Sequence, residues 1–378
     1  MPRFFPLIVL FPALCFAAER WTVTTGDFKS SPIVISVIDD QQVSGTERQS
    51  VPLAQFVQAT RSVKIEPAKG LVLCVAGGDR LIGQPLRIDG ANLVWFAAGI
   101  GEVAVPLEKA LGVLRDQTAQ SDLLDARGED EIHLLNGDAV KGIVTAVAEK
   151  SVTITPAGAA AIEVPVDNIR DILFAAPPQG RGDLKPARFT LRLSTASVLS
   201  CDSIKLAGDK LNFTVSGGAK ASVPTALVAS IEHTGGPVAW LSTRTPSEAT
   251  YVPFFEGDFT PQFDRTVTGD PIRVNGQIVQ RGIGMHSKTR MTWPVLPGDK
   301  TFRARYQIDP SLGYADVDVR VFVDDKLVHE TKSFKAGATS PVVEADLSGA
   351  KTLTLEVDYG QGYDVHDRLT WIEPAIVR

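Results

Sequence analysis

The middle of this chain repeats itself, and that constrains the fold more than any other feature. Slid by 59 residues, the sequence matches itself without a gap. Gly78-Asp79 falls on Gly137-Asp138, and Val105-Pro106 falls on Val164-Pro165 and again on Val223-Pro224. Leu73, Ile132 and Leu191 share one position, Leu81, Val140 and Leu199 another, and Trp95, Ile154 and Phe213 a third. Gly83 and Gly142 align with Cys201, and Ala196-Ser197 stands where the other copies have Gly-Asp. A looser copy, with Gly26-Asp27 and Val51-Pro52, comes first.

Each copy has the pattern of strands. Glu131 to Leu135 alternates polar and apolar and meets the turn signal Asn136-Gly137-Asp138. Ala139 to Val147, Ser151 to Thr155 and Ile162 to Val164 follow as strands, Pro165 ends the last, and Val166 to Ile169 suits one helical turn before Ile172-Leu173. Five short strands and a helical turn in about 42 residues predict a small half-open barrel, similar in pattern to SH3-like or Sm-like barrels. The expected units are 19–66 (divergent), 67–125, 126–184 and 185–236, with linkers at Asp116 to Asp130 and at Ala175 to Lys185, which holds Pro177-Pro178, Gly180 and Gly182. A barrel of this size buries little core alone, so neighbouring copies are expected to pack on each other. One aspartate per turn is hairpin chemistry, since a calcium loop gathers several oxygen ligands.

Residues 1–18 have the form of a secretory signal: Arg3, the apolar run Phe4 to Phe16, then the small residues Ala17-Ala18. Bulky Leu14 before Cys15 speaks against a lipid anchor, and no later stretch suits a membrane span, so the expectation is a secreted or periplasmic protein. Removal of the signal leaves Cys74 and Cys201, 127 positions apart, which are expected to be buried and unpaired. A net charge of −6 argues against a large nucleic-acid footprint. The chain carries no GxSxG, HExxH, P-loop or dinucleotide fingerprint, and no zinc-ligand spacing.

From 237 the repeat stops, and all five tyrosines lie beyond that point. An aromatic stretch with Tyr251 and Phe254-Phe255 opens this part, and Asn275-Gly276 and Asp324-Asp325 mark hairpin turns. Alternating strands run through Lys300 to Ile308, Asp316 to Val323, Pro341 to Leu347 and Lys351 to Tyr359. About eight antiparallel strands predict a β-sandwich, a jelly roll. The whole chain is thus expected to be all-β: repeated small barrels, then a sandwich over 237–378.

Several blocks of this last part carry a resemblance. Gly282-Ile283-Gly284-Met285-His286, the strand ending in Val323-Asp324-Asp325-Lys326, Ser348-Gly349-Ala350-Lys351-Thr352-Leu353 and His366-Asp367-Arg368-Leu369-Thr370-Trp371 resemble the signature of the NPCBM/NEW2 module. That is the carbohydrate-binding module of glycoside hydrolases of family 98, also classed as carbohydrate-binding module family 51. The resemblance implies a galactose-binding-like jelly roll and a glycan partner, with galactose-type sugars known in the family. Leu369-Thr370 departs from the family's acidic or small residue before its Trp, so ligand preference is not carried over.

Sugars present an apolar face to aromatic rings and a rim of hydroxyls to carboxylates, amides, His or Arg. The candidates for such contacts are His286, Arg290, Tyr314, Tyr363, Asp364, His366 and Asp367, with Gly282, Gly284 and Trp371 as structural members of the motif. Each has a structural alternative: His286 as a brace donating to a buried carboxylate such as Asp367, and Gly282 and Gly284 as shapers of a close backbone turn. Trp371 is expected in the core. No cofactor is expected; a structural calcium, for which Glu373 or Asp358 could serve, has no dense oxygen-ligand motif behind it. Of three functions the first is the expected one and the other two are its alternatives: an exported, non-catalytic glycan binder with the repeats as scaffold or protein-docking surface, an assembly protein without sugar binding, and a divergent glycoside hydrolase.

Overall fold

The structure, a computed structural model, describes residues 20–116, 123, 127–175, 187–216, 218–254 and 257–378. The expected signal segment, Phe255 and most of both expected linkers lie outside these residues. The chain divides into two compact units, Met1–Glu232 and His233–Arg378. The described elements are strands joined by turns, with a few single 3-10 turns.

One pairing pattern occurs four times in the first unit. In the second instance, the strand Leu71–Val75 pairs with Asp79–Asp89 on one side and with Ala110–Leu114 on the other. Asp79–Asp89 pairs with Asn92–Ala97, which pairs with Gly101–Pro106. A 3-10 turn, Leu107–Lys109, precedes the closing strand. The same order begins at Asp130 and at Phe189, each 59 residues after the last, and in looser form at Trp21, where the second strand is broken between Ile33 and Ile35. Alternation explains the cores: in Ser151–Thr155 only Val152 and Ile154 are buried. Trp95, Ile154 and Phe213, at one position of the repeat, are all buried.

Each fourth strand ends in a proline, at Pro52, Pro106, Pro165 and Pro224, directly before its 3-10 turn. Proline fixes φ and has no N–H to extend a ladder, so the strand stops there. Gly83 meets a different demand. A Cβ there would lie 1.8 Å from the Phe96 carbonyl oxygen, and one at Gly142 would lie 2.4 Å from that of Thr155. Cys201 occupies the matching place in the last instance, and it and Cys74 are buried free thiols.

The instances join through their closing strands. Phe56–Thr60 pairs with Val228–His233, and Ala110–Leu114 pairs with Ile169–Leu173, so the first joins the fourth and the second joins the third. An arginine completes each joint. Arg61 donates from Nε to the Val228 carbonyl at 2.6 Å and from Nη2 to those of Thr225 and Ala226. Arg115 donates to Ile169 and Val166, each at 2.7 Å. These bonds add a guanidinium donor to carbonyls in and just after a 3-10 turn, two of which, Val166 and Thr225, also accept the N–H that closes the turn. Between the second and fourth instances, Asp79 accepts from the Ser200 amide at 2.7 Å, and burial pushes its carboxyl up to about 6.

The second unit is a sandwich of two antiparallel sheets. One runs Gln262–Phe263, Gly282–His286, Arg368–Val377, Thr301–Ile308, Val343–Asp346, with Val238–Trp240 also on Arg368–Val377. The other runs Glu248–Tyr251, Thr289–Pro294, Thr352–Tyr359, Asp316–Val323, Lys326–Lys335. Their inner faces meet around Trp293, Phe302, Tyr306, Val319, Leu355 and Trp371. Trp371 packs edge-on against Tyr306 and Phe302, with centroids 5.2 and 6.3 Å apart. The hairpin turns fall where expected: Asn275, Gly276, Asp324 and Asp325 all hold positive φ.

Candidate functional site

Gly282 and Gly284 lie within a strand, and neither has positive φ, so they do not shape a turn. Their role is close approach. A Cβ at Gly284 would sit 2.2 Å from the Val267 amide nitrogen, and one at Gly282 would sit 2.6 Å from the Trp371 carbonyl oxygen and 2.4 Å from the Ile272 side chain. The 264–270 loop therefore lies directly on the strand and fixes its last residue, His286.

His286 pairs in register with Arg368, and the next strand begins at Thr289. The strands 316–323 and 352–359 reach the same end, where Val317 lies opposite Tyr359. This loop end gathers a buried polar core. His286 is 3% exposed, and its Nδ1 lies 2.9 Å from the Ser287 carbonyl oxygen. A carbonyl only accepts, so Nδ1 carries the hydrogen and Nε2 is left as an acceptor. Burial holds this imidazole below its ordinary value, and it is neutral at pH 7. Ser287 donates its hydroxyl to Asp367 at 2.7 Å, and the Asp316 amide donates to the other carboxylate oxygen at 3.2 Å. Asp367 is 1% exposed, and burial pushes it up to about 6. The brace to Asp367 is thus Ser287, one residue beyond the histidine expected to make it.

Aromatic rings cover this core. Phe259 stacks on His286 at 4.3 Å and 9°, and Tyr251 meets the same ring edge-on at 6.2 Å. Arg368 lies with Cζ 5.5 Å from the Phe259 centroid. Farther out, Phe254 contacts Tyr363 at 4.9 Å and Tyr359 at 5.6 Å. Val252 holds this segment in place by exchanging backbone hydrogen bonds with Lys288 and accepting the Tyr359 hydroxyl.

The sequence candidates divide into three groups. Tyr314, Tyr363 and His366 are exposed at the loop end, Tyr314 at 85%, with Asp364 half-buried among them. Tyr363 and His366 both hold φ of 63°, a conformation that non-glycine residues rarely adopt. His286 and Asp367 lie beneath, consumed by internal bonds. Arg290 belongs elsewhere. It sits within the Thr289–Pro294 strand, pairs with Glu356 at 2.9 Å and with Asp325 at 3.4 Å, and lies over the Phe322 ring. The reason is the strand period. Thr289 and Met291 face inward, which turns Arg290 to the outer charged face with Arg320, Glu330 and Asp358.

Sequence reasoning passed over Tyr251, Phe254, Phe259 and Arg368. The signal for the rings was aromatic density over 251–259, where the sequence shows no strand alternation to assign a core face; Arg368 had only its place in the His366–Trp371 block. Among the described residues no cluster of His, Cys, Asp and Glu has the makings of a metal site, and no helix is long and apolar enough to cross a membrane.

Two antiparallel sheets with loops clustered at one end define a β-sandwich. Residues 238–377 match the family model of the NPCBM/NEW2 domain, and this part of the chain is such a domain. Three solved structures illustrate the similarity. One holds the second CBM51 module, with GlcNAc, and INT domains of Clostridium perfringens ZmpB (22% identity, 45% of this chain and 36% of that chain, TM-score 0.34). Another is the CBM51 of a Clostridium perfringens GH95 protein with methyl-galactose (19% identity, 37% of this chain and 99% of that one, TM-score 0.34). The third is the tandem CBM51 pair of a family 98 glycoside hydrolase of Streptococcus pneumoniae (13% identity, 94% and 96%, TM-score 0.31). The chain thus spans about a third of the ZmpB structure. No curated protein matches the chain.

Proposed function

We propose that this is an exported, non-catalytic glycan-binding protein whose C-terminal sandwich takes a galactose-type sugar at the loop end around Tyr363. The observation that carries the reading is the exposed Phe254–Tyr363 pair beside Asp364, His366 and Arg368, at one end of an NPCBM/NEW2 domain. An aromatic surface stacks on the apolar face of a sugar, and the polar groups beside it bond the hydroxyl rim. The left-handed backbone at Tyr363 and His366 supports this assignment, since residues in sparsely populated conformations cluster at ligand clamps. Support for the scaffold role of the first unit comes from its four like-paired strand sets, read here as SH3-like or Sm-like barrels. In this reading they space the sugar site from its surroundings or dock a protein.

The test is calorimetric titration of the full chain with galactose oligosaccharides, repeated with Tyr363→Ala and His366→Ala. Binding that falls about tenfold or more in Tyr363→Ala, with the melting temperature unchanged, supports the site. Absent binding, or binding unchanged in both variants, overturns it.

A further inference from the structure

Resting on the reading above, we propose that the sugar taken at this loop end carries an acidic group, and that Arg368 is the residue that reads it. The partly buried arginines of the sandwich are otherwise accounted for. Arg244 pairs with Asp299, Arg281 with Asp264, Arg290 with Glu356, Arg303 with Glu344, and Arg265 bonds the Gly269 carbonyl. Arg368 differs. Its Nε is buried without a hydrogen-bond partner, and among the described residues no carboxylate pairs with its guanidinium. The Phe259 ring lies against it, and a ring face takes a guanidinium without using its N–H donors.

A half-buried guanidinium with unused donors is costly, and such groups in a native fold call for an explanation. An anion of planar or tetrahedral form supplies one, because the guanidinium fork matches carboxylate and sulfate oxygens in bidentate fashion. The surroundings favour a mixed ligand over a simple anion. Asp364, half-buried, and Arg368 both lie within electrostatic reach of His286, and a carboxylate accepts hydroxyl hydrogens. Hydroxyl hydrogens have acceptors on one side, and an acid has a donor on the other. A sugar acid combines both in one ring.

Galactose and galacturonic acid differ only at C6, hydroxymethyl against carboxylate, and they make a matched pair. The full chain is titrated with digalacturonate, with a 6-sulfated galactose disaccharide and with neutral galactobiose. At least one acidic disaccharide is expected to bind ten times more tightly than the neutral one, and which of the two does so names the source of the charge. Arg368→Gln is expected to abolish that preference, and Arg368→Lys to retain part of it. Melting temperatures confirm that both variants fold; if Arg368→Gln does not, loss of the preference at 0.5 M salt replaces it. Equal affinity for acidic and neutral sugars overturns the acidic assignment alone, and a preference surviving in Arg368→Gln overturns the role of Arg368. Failure of all three sugars to bind overturns the glycan reading as well.

Discussion

The two units use their polar residues in opposite ways. In the first, Arg61, Arg115 and Asp79 spend their hydrogen bonds on backbone groups at the joints between strand sets. In the second, aromatic and polar side chains collect at one end of the sandwich, and several of them stay exposed. A satisfied polar side chain deep in a joint explains a shape. Exposed rings beside an arginine with an unused donor ask for something from outside the chain. Residue type alone does not separate these cases, because the same guanidinium serves the fold at Arg61 and, in our reading, the ligand at Arg368.

The comparison can be broken in four places. The largest effect belongs to the sandwich core. Trp371→Ala should cost about 3–5 kcal/mol in urea unfolding, from lost burial and an unfilled cavity; a cost under about 1 kcal/mol would show that the two inner faces do not meet at Trp371. The joints come next. Arg61→Ala and Arg115→Ala should each cost about 1–3 kcal/mol by removing charge-assisted hydrogen bonds across the joint, with Arg61 the more costly because it serves three carbonyls rather than two. Equal and negligible costs at both would mean that strand pairing alone holds the joints.

The third concerns pH, and it places one buried acid in each unit. Asp79 and Asp367 both titrate near 6 in the folded chain, above an ordinary value of 3.8. Folding raises these values, so each contributes stability in full below about 4 and loses it as pH rises through about 6. Asp299 and Asp358, which pair with Arg244 and Arg320, are lowered and act in the opposite sense, losing their contribution at acid pH. The prediction is therefore made on differences. Stability of the Asp367→Asn variant relative to the parent should rise between pH 4 and 6.5, and Asp79→Asn should do the same; a flat difference across that window would place both carboxyls in water. The smallest effect on stability is Tyr363→Ala, within about 0.5 kcal/mol for an exposed side chain. A larger loss would turn the proposed sugar platform into a structural contact.

Much of the fold was legible because burial follows the strand period. Val152 and Ile154 announced a strand, and the recurrence of Leu73, Ile132 and Leu191 announced three of the four strand sets. The joints were not legible. Nothing local in Phe56–Thr60 names Val228–His233 as its neighbour, since pairing across such separations depends on the whole fold. The site was half legible. The cluster from Tyr363 to Asp367 was visible as polar and aromatic density, yet Asp367 turned inward to Ser287 while Tyr363 stayed out. Arg290 looked like a companion of His286 by closeness in sequence, and strand alternation carried it to the other face.

The pairing of first with fourth and second with third closes like brackets within brackets. The inner pair is complete once Leu173 has been made, but Thr60 waits for Ser230. On a ribosome the outer strand Phe56–Thr60 is synthesised early and its partner last, with Arg61 and Val228 separated by 167 positions. Until then one edge of the first strand set stands open, and an open edge is where chains add to each other. Tandem repeats that stack in a row can be lengthened by duplicating a unit at the end. This arrangement has no such freedom, because a fifth copy would find every closing strand already taken.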